Sequence, residues 1–397
     1  MNNLIKKTNT VSFNNFIIYK LKKIYLLILV GLVIFFISPK GGTWSYLVNL
    51  RWLYVLIFSF IVSNLFTPLC IKIAFKFNFL DIPDERKMHS VPVPRIGGLA
   101  IYISVITVII RNLRFSAELL GLLIGGSLIF MLGFLDDIRG GLSATFRLFI
   151  QILSVVIVFL FGLRISFIPH IPLESFWELL ITILWFVGII NAINFLDGID
   201  GLVSSFGIFC SLIFLLISWQ TQQNYITYIT ASLIGSCLGF LPYNWTKAKI
   251  FLGDCGATFI GFMLAGISVM GTWAENNPVI ALSTPLLILA IPIFDVIYTT
   301  ISRIKNKSVK NLKQWLEFVG KDHFHHRLLK FGFNIEQTVG FIIFLNLAFG
   351  LSALIIRQTG TFGAIILLIQ SVVILLIVVI LMLAAREGIN NKNSLCS

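Results

Sequence analysis

Four aspartates in two short stretches raise the question of chemistry. Phe134-Leu135-Asp136-Asp137-Ile138-Arg139-Gly140 carries adjacent carboxylates. Such a pair stays ionised only beside compensating positive charge, from a metal ion or a substrate cation. Asn191-Ala192-Ile193-Asn194-Phe195-Leu196-Asp197-Gly198-Ile199-Asp200-Gly201 spaces two asparagines and two aspartates by threes, which puts polar groups on one side of a helical turn. Its glycines let the backbone turn sharply and let a ligand come close. The plain alternative for the first stretch is a solvated helix end. For the second it is helix capping, which needs one such residue where this segment has four.

Three more segments carry polar groups of the same kind. Phe251-Leu252-Gly253-Asp254-Cys255-Gly256, preceded by Pro242-Tyr243-Asn244-Trp245 and by Lys247 and Lys249, offers a carboxylate and free backbone N–H groups at a helix start. That suits a metal-bound phosphate, although an interfacial turn with snorkelling lysines reads the same. His323-Phe324-His325-His326-Arg327 gathers three of the five histidines, and no neighbouring cysteine or carboxylate set completes a zinc shell. Contact with a pyrophosphate is the expectation there, against purely structural histidines. Asp81-Ile82-Pro83-Asp84-Glu85-Arg86-Lys87-Met88-His89, running on to Pro94-Arg95-Ile96-Gly97-Gly98, reads as an ordered loop before a glycine-started helix, or as a basic juxtamembrane linker.

The elements that must position these residues are membrane helices. Of 397 residues 57% are hydrophobic and 12% charged, so lipid must solvate most of the surface. Apolar stretches long enough to cross a bilayer recur at 24–38, 52–75, 96–111, 117–135, 145–163, 175–193, 201–218, 226–243, 255–271, 278–300, 337–356 and 361–384. The expected fold is an all-α, polytopic bundle of eleven or twelve transmembrane helices. With the N-terminus inside, 24 of the 30 lysines and arginines fall on the cytoplasmic side, a strong positive-inside signal. The five polar clusters fall on that side too, which their separate plain explanations do not account for. The net charge of +13 reflects this bias and attraction to anionic substrates and lipids rather than nucleic acid. The five cysteines form no CxxC pair, so neither a disulfide framework nor a zinc site is read from them. Residues 1–38 also fit a signal peptide, but no small-x-small cleavage site follows. Asp295 is the intramembrane acid, read as hydrogen-bonded and facing the bundle. A transporter, which places such groups near the midplane, is the rival class.

The elements RKMH…PxPRIGG, FLDD, NAINFLDGIDGL, PYN…FLGD and HFHHRLL occur in this order between about residues 50 and 385. They resemble the polyprenyl-phosphate N-acetylhexosamine-1-phosphate transferases. Pro94-Arg95-Ile96-Gly97-Gly98 and His325-His326-Arg327 resemble the GlcNAc-1-phosphate branch, which starts O-antigen, enterobacterial common antigen or teichoic acid linkers. The phospho-MurNAc-pentapeptide branch of peptidoglycan synthesis would show a GTPTMGG-like and an HHHFE-like segment instead. Residues 1–50 then form an N-terminal extension with its own helix, and 51–390 the transferase domain.

The resemblance implies Mg²⁺, with Mn²⁺ as its substitute, bound by Asp254 and Asn194. It implies a UDP-GlcNAc-like nucleotide sugar and undecaprenyl phosphate as substrates, with UMP released. Phe251 would stack on the uracil, Asn244 and Asp200 would hold the uridine, and Asp197 would sit beside the metal and diphosphate. Asp136 and Asp137 would position the lipid phosphate, with Asp136 as base. Asp81 would help bind substrate, while Lys87, Arg95, Arg327, His323, His325 and His326 would offset pyrophosphate charge. The site would face the cytoplasm from a bacterial-type inner membrane, and a homodimer is compatible. Direct attack on the β-phosphorus is expected, with a covalent aspartyl-phosphate at Asp136 as the alternative.

Overall fold

The computed structural model describes residues 23–395 apart from 39, 84–89, 167–172, 275–276, 310–313, 315–319 and 321. Helix α1 (Lys23–Ile37) and the short α2 (Thr43–Leu47) precede α3 (Arg51–Phe77). A small antiparallel pairing of β1 (Leu80–Asp81) with β2 (Val93–Pro94) sets Leu80 opposite Pro94 and leads into α4 (Gly98–Asn112). Then follow α5 (Ala117–Arg139), α6 (Ala144–Leu160), α7 (Glu174–Leu196), α8 (Leu202–Gln220), α9 (Asn224–Asn244) and α10 (Gly253–Met270). The chain ends with α11 (Pro278–Ile288), α12 (Ala290–Lys305), α13 (Phe324–Lys330), α14 (Ile335–Ile356) and α15 (Thr361–Leu395).

Among the described residues, eight helices are long and apolar enough to cross a membrane, and α1, α4 and α6 are shorter apolar helices. The stretch expected as one span at 278–300 is instead two helices, α11 and α12, bent by 77°. Proline explains the break. Pro292 stands in the first turn of α12, where its missing N–H is tolerated, and so cannot donate back to the carbonyl of Ile288. Counting the bent pair as one, the structure reproduces the twelve apolar segments read from the sequence.

Lipid offers helices no hydrophobic reason to associate, so small residues and hydroxyl groups hold the bundle together. Between α3, α4 and α9, Ser236 Oγ donates to Ser104 Oγ at 2.8 Å, and Ser104 Oγ to the Ser59 carbonyl at 2.7 Å. A Cβ on Gly235 would lie 2.1 Å from the Leu56 carbonyl oxygen, which shows how closely α9 and α3 approach. Helix α10 is buried along nearly its whole length, from Gly253 to Ser268. It therefore carries Asp254 on the most enclosed element of the fold. Helix α1 docks on α3 through stacking of Phe36 on Tyr54, with centroids 5.2 Å apart, and a 2.6 Å bond from Tyr25 to Asn64. Helix α15 lies at the periphery, its Phe362, Ile366 and Ile369 facing outward.

Candidate active site

The ends of α5, α7 and α9 meet the starts of α4, α8, α10 and α13 at one end of the bundle. Helix α5 runs through both aspartates and stops at Gly140, which is left-handed. Asp136 Oδ1 accepts from the Leu142 N–H at 2.5 Å, and Oδ2 lies 3.8 Å from Arg147. Asp137 turns the other way. Its two oxygens accept the backbone N–H groups of Asp254 and Cys255, each at 3.0 Å. Helix α10 has no side-chain cap from its own N-cap residue, Leu252, so Asp137 supplies the cap from a different span. Gly253 makes this approach feasible. Its φ is +75°, and a Cβ there would lie 2.6 Å from Asp137 Oδ2.

A seam of backbone bonds brings Arg95 to the same place. The Phe251 N–H donates to the Pro94 carbonyl (2.8 Å), that of Gly97 to Phe251 (3.0 Å) and that of Gly98 to Leu252 (2.8 Å). The Arg95 guanidinium thereby reaches Asp137 Oδ1 at 3.2 Å and Asp254 Oδ2 at 3.4 Å. The Asn194 amide nitrogen donates to Asp254 Oδ1 at 3.3 Å.

Asp197 ends α7, and Gly201, left-handed at φ +74°, precedes α8. Asn244 is buried and uses its amide to staple this turn. Its oxygen accepts from Gly201 N–H (3.2 Å) and Ser204 Oγ (3.1 Å), while its nitrogen donates to the Ile250 carbonyl (3.1 Å). Asp200 Oδ2 accepts from the Ala248 N–H at 3.0 Å. Burial pushes the Asp197 carboxyl up to about 7, the charge of Asp137 adding to the effect and Arg95 opposing it.

The histidines divide. His323 Nδ1 lies 2.7 Å from Asp295 Oδ2, and its ring stacks on Phe195 with centroids 5.0 Å apart. His325 is fully buried, and neither ring nitrogen has a hydrogen-bond partner. A Cβ on Gly198 would come within 2.2 Å of its Nε2. Burial holds the His325 imidazole well below its usual range, with His326 and His323 adding to the shift. Arg327 donates to the Asp322 carbonyl at 2.7 Å and lies over the Tyr298 ring.

These segments enclose a cavity of about 880 Å³. Of the residues singled out from sequence, Asp81, Arg95, Asp197, Asp200, Asn244, Phe251, Asp254 and His326 line it. Asp136, Asp137 and Asn194 stand behind this wall, tied to its neighbouring segments. His323, His325 and Arg327 form a further layer. Lys87 lies outside the described residues. Sequence reading passed over Arg147, Arg303 and Asp322. It named Asp295 without finding its partner, because His323 is 28 positions further along the chain. Among the described residues, no three histidine, cysteine or acidic side chains converge as a ready-made metal cage.

Known proteins match the part of the chain that carries most of these residues. The family described as glycosyl transferase family 4 matches residues 119–272, from α5 to just past α10. A Bacillus subtilis protein named "Probable undecaprenyl-phosphate N-acetylglucosaminyl 1-phosphate transferase" is 33% identical over 313 residues, covering 76% of this chain and 85% of that protein. The chain belongs to glycosyl transferase family 4. Another relative, the decaprenyl-phosphate N-acetylglucosaminephosphotransferase of Mycobacterium leprae, is 31% identical over 345 residues, covering 77% of this chain and 84% of its own. The phospho-N-acetylmuramoyl-pentapeptide-transferase of Enterococcus faecalis is 36% identical over 208 residues, but covers 47% of this chain and 64% of its own. The part matched by the family 4 description holds Asp136, Asp137, Asn194, Asp197, Asp200, Asn244, Phe251 and Asp254. Arg95 and the three clustered histidines lie outside it.

Proposed function

We propose that the chain transfers GlcNAc-1-phosphate from UDP-GlcNAc to a polyprenyl phosphate such as undecaprenyl phosphate, releasing UMP. One observation carries this reading. Acidic and basic groups from segments as far apart as residues 81 and 326 line a single cavity at one end of a membrane bundle. The longer matches to GlcNAc-1-phosphate transferases favour this sugar donor over that of the muramoyl-pentapeptide relative, whose match covers less of both chains.

An oxygen of the lipid phosphate attacks the β-phosphorus of the nucleotide sugar, and the bond from that phosphorus to the bridging oxygen breaks to leave UMP. Two anions must meet, so charge neutralisation and alignment are the main tasks. Arg95 and His326 line the cavity, and so bring a guanidinium and an imidazole to its wall. Phe251 offers its ring to the uracil, and Asp200 and the Asn244 staple hold the turn against which the uridine rests. Asp136 does not line the cavity and is engaged by Leu142 and Arg147, which supports direct attack over an aspartyl-phosphate intermediate.

The donor set fits a divalent cation. Asp254, Asp137, Asp136 and Asp197 gather beside Arg95, and the carboxyl of Asp197 is already driven toward the neutral form. Mg²⁺ takes one or two carboxylates and completes its shell with water and substrate phosphates, so it needs no preformed cage. Asp254 would hold it, with Asn194 and Asp197 alongside. Bound there, Mg²⁺ would neutralise diphosphate charge. The concentration of lysine and arginine at the cavity end supports a cytoplasmic site in a bacterial plasma membrane.

Purified protein given UDP-GlcNAc and undecaprenyl phosphate is expected to release UMP in a Mg²⁺-dependent manner, and Asp254→Ala to abolish this without loss of membrane insertion. Unchanged turnover in that variant removes Asp254 as the metal ligand. Uptake of UDP-sugar into vesicles without UMP release overturns the enzyme reading itself.

A further inference from the structure

Asp295 is fully buried on α12, just beyond the bend. One of its oxygens accepts the Phe324 N–H at 2.6 Å, and the other lies 2.7 Å from His323 Nδ1. Helix α13 has no side-chain cap of its own, so Asp295 caps it from another span, as Asp137 caps α10. A carboxylate can only accept, so Nδ1 of His323 carries the proton and Nε2 is left to accept from Arg303, 3.3 Å away. Arg303 is held in turn by Asp322, at 2.7 and 2.8 Å. With the ring orientation and tautomer so defined, His323 stacks on Phe195, between Asn194 and Asp197 in sequence. His323 does not line the cavity, whereas His326, on the short helix that follows it, does.

We propose that Asp295 is a positioning residue that registers the histidine segment against the Asn194–Asp197 turn, with His323 as the link and His326 as the imidazole that meets the substrate. This rests on the transferase reading above. Asparagine at 295 keeps the size but brings an N–H to a place where two acceptors are needed. Either Phe324 loses its partner, or His323 changes tautomer and turns an N–H toward Arg303.

The test measures UMP release by the full chain in lipid nanodiscs, using UDP-GlcNAc and undecaprenyl phosphate. Asp295→Asn and His323→Ala are each expected to lower kcat by about tenfold to a hundredfold, the range found when groups that orient a site are removed. KM for UDP-GlcNAc should stay within about threefold, since the substrate is not touched. His323→Asn places an amide N–H near the position of Nδ1 and should recover most of the loss. His323→Gln, which reaches toward the position of Nε2, should not. The double variant Asp295→Ala/His323→Ala should be no slower than Asp295→Ala alone. Three results would each overturn the proposal: additive losses, glutamine outperforming asparagine, or a His323→Ala variant with raised KM and unchanged kcat. The asparagine–glutamine comparison holds even if the Asp295 variants fail to fold. Wild-type protein that releases no UMP would instead sink the transferase reading.

Discussion

Asp197 stands at the end of α7 on the cavity wall, and its surroundings disfavour its charge. Because its folded-state pKa of about 7 lies above the ordinary 3.8 of an aspartate, the folded protein holds the proton more tightly than the unfolded chain. Its contribution to stability is complete below the lower value and is lost as pH rises through the upper one. The melting temperature of the metal-free protein should therefore fall between about pH 4 and pH 7, and Asp197→Asn should flatten that fall. Millimolar Mg²⁺ should oppose it, as a cation favours the ionised carboxylate. Calorimetry or dye-monitored unfolding across this range checks all three. Asp197 and Asp254 were legible because clustered acids beside glycines need an explanation. Asn244 was legible as important, but the bonds it makes were not, since they run to Gly201, Ser204 and Ile250 through folded space. The burial of His325 was hidden for the same reason. What covers it is Gly198, more than a hundred residues earlier.

Helix by helix, apolar run length carried most of the information. The stretch read as 117–135 continues through the acid pair to Arg139, because the helix is free to run on until Gly140 takes the left-handed conformation that ends it. The break at 288–290 had its signal in Pro285 and Pro292, which a window summing hydropathy ignores. Helix contacts were less legible, since a glycine in an apolar run does not announce its neighbour. Gly235 is one such contact. Gly235→Val should force α9 from α3 and cost about 1–3 kcal/mol, the usual penalty for overpacking. The loss should appear as a lower melting temperature in detergent. Because α9 ends at Asn244, KM for the nucleotide sugar should rise in the same variant.

For the whole molecule, the positive-inside count foresaw that the chemistry would gather at one end, and the structure brings those segments together. The orientation can be checked by labelling. With Cys396→Ser removing the cysteine beyond the four buried ones, Thr246→Cys on the cavity wall should resist a membrane-impermeant maleimide in intact cells and react after lysis. Ser166→Cys, at the opposite end, should react in intact cells. The reverse pattern would turn the protein over in the membrane.

The seam between the starts of α4 and α10 constrains how this cavity exchanges its contents. Three main-chain bonds join those two helix starts, so Arg95 and Asp254 cannot be drawn apart without unzipping backbone from backbone. The opposite rim, at His326 and Ile335, belongs to segments moored through side chains such as Asp295 and Asp322. Widening the cavity on that side would break side-chain bonds alone, whereas widening it between Arg95 and Asp254 would cost main-chain pairing.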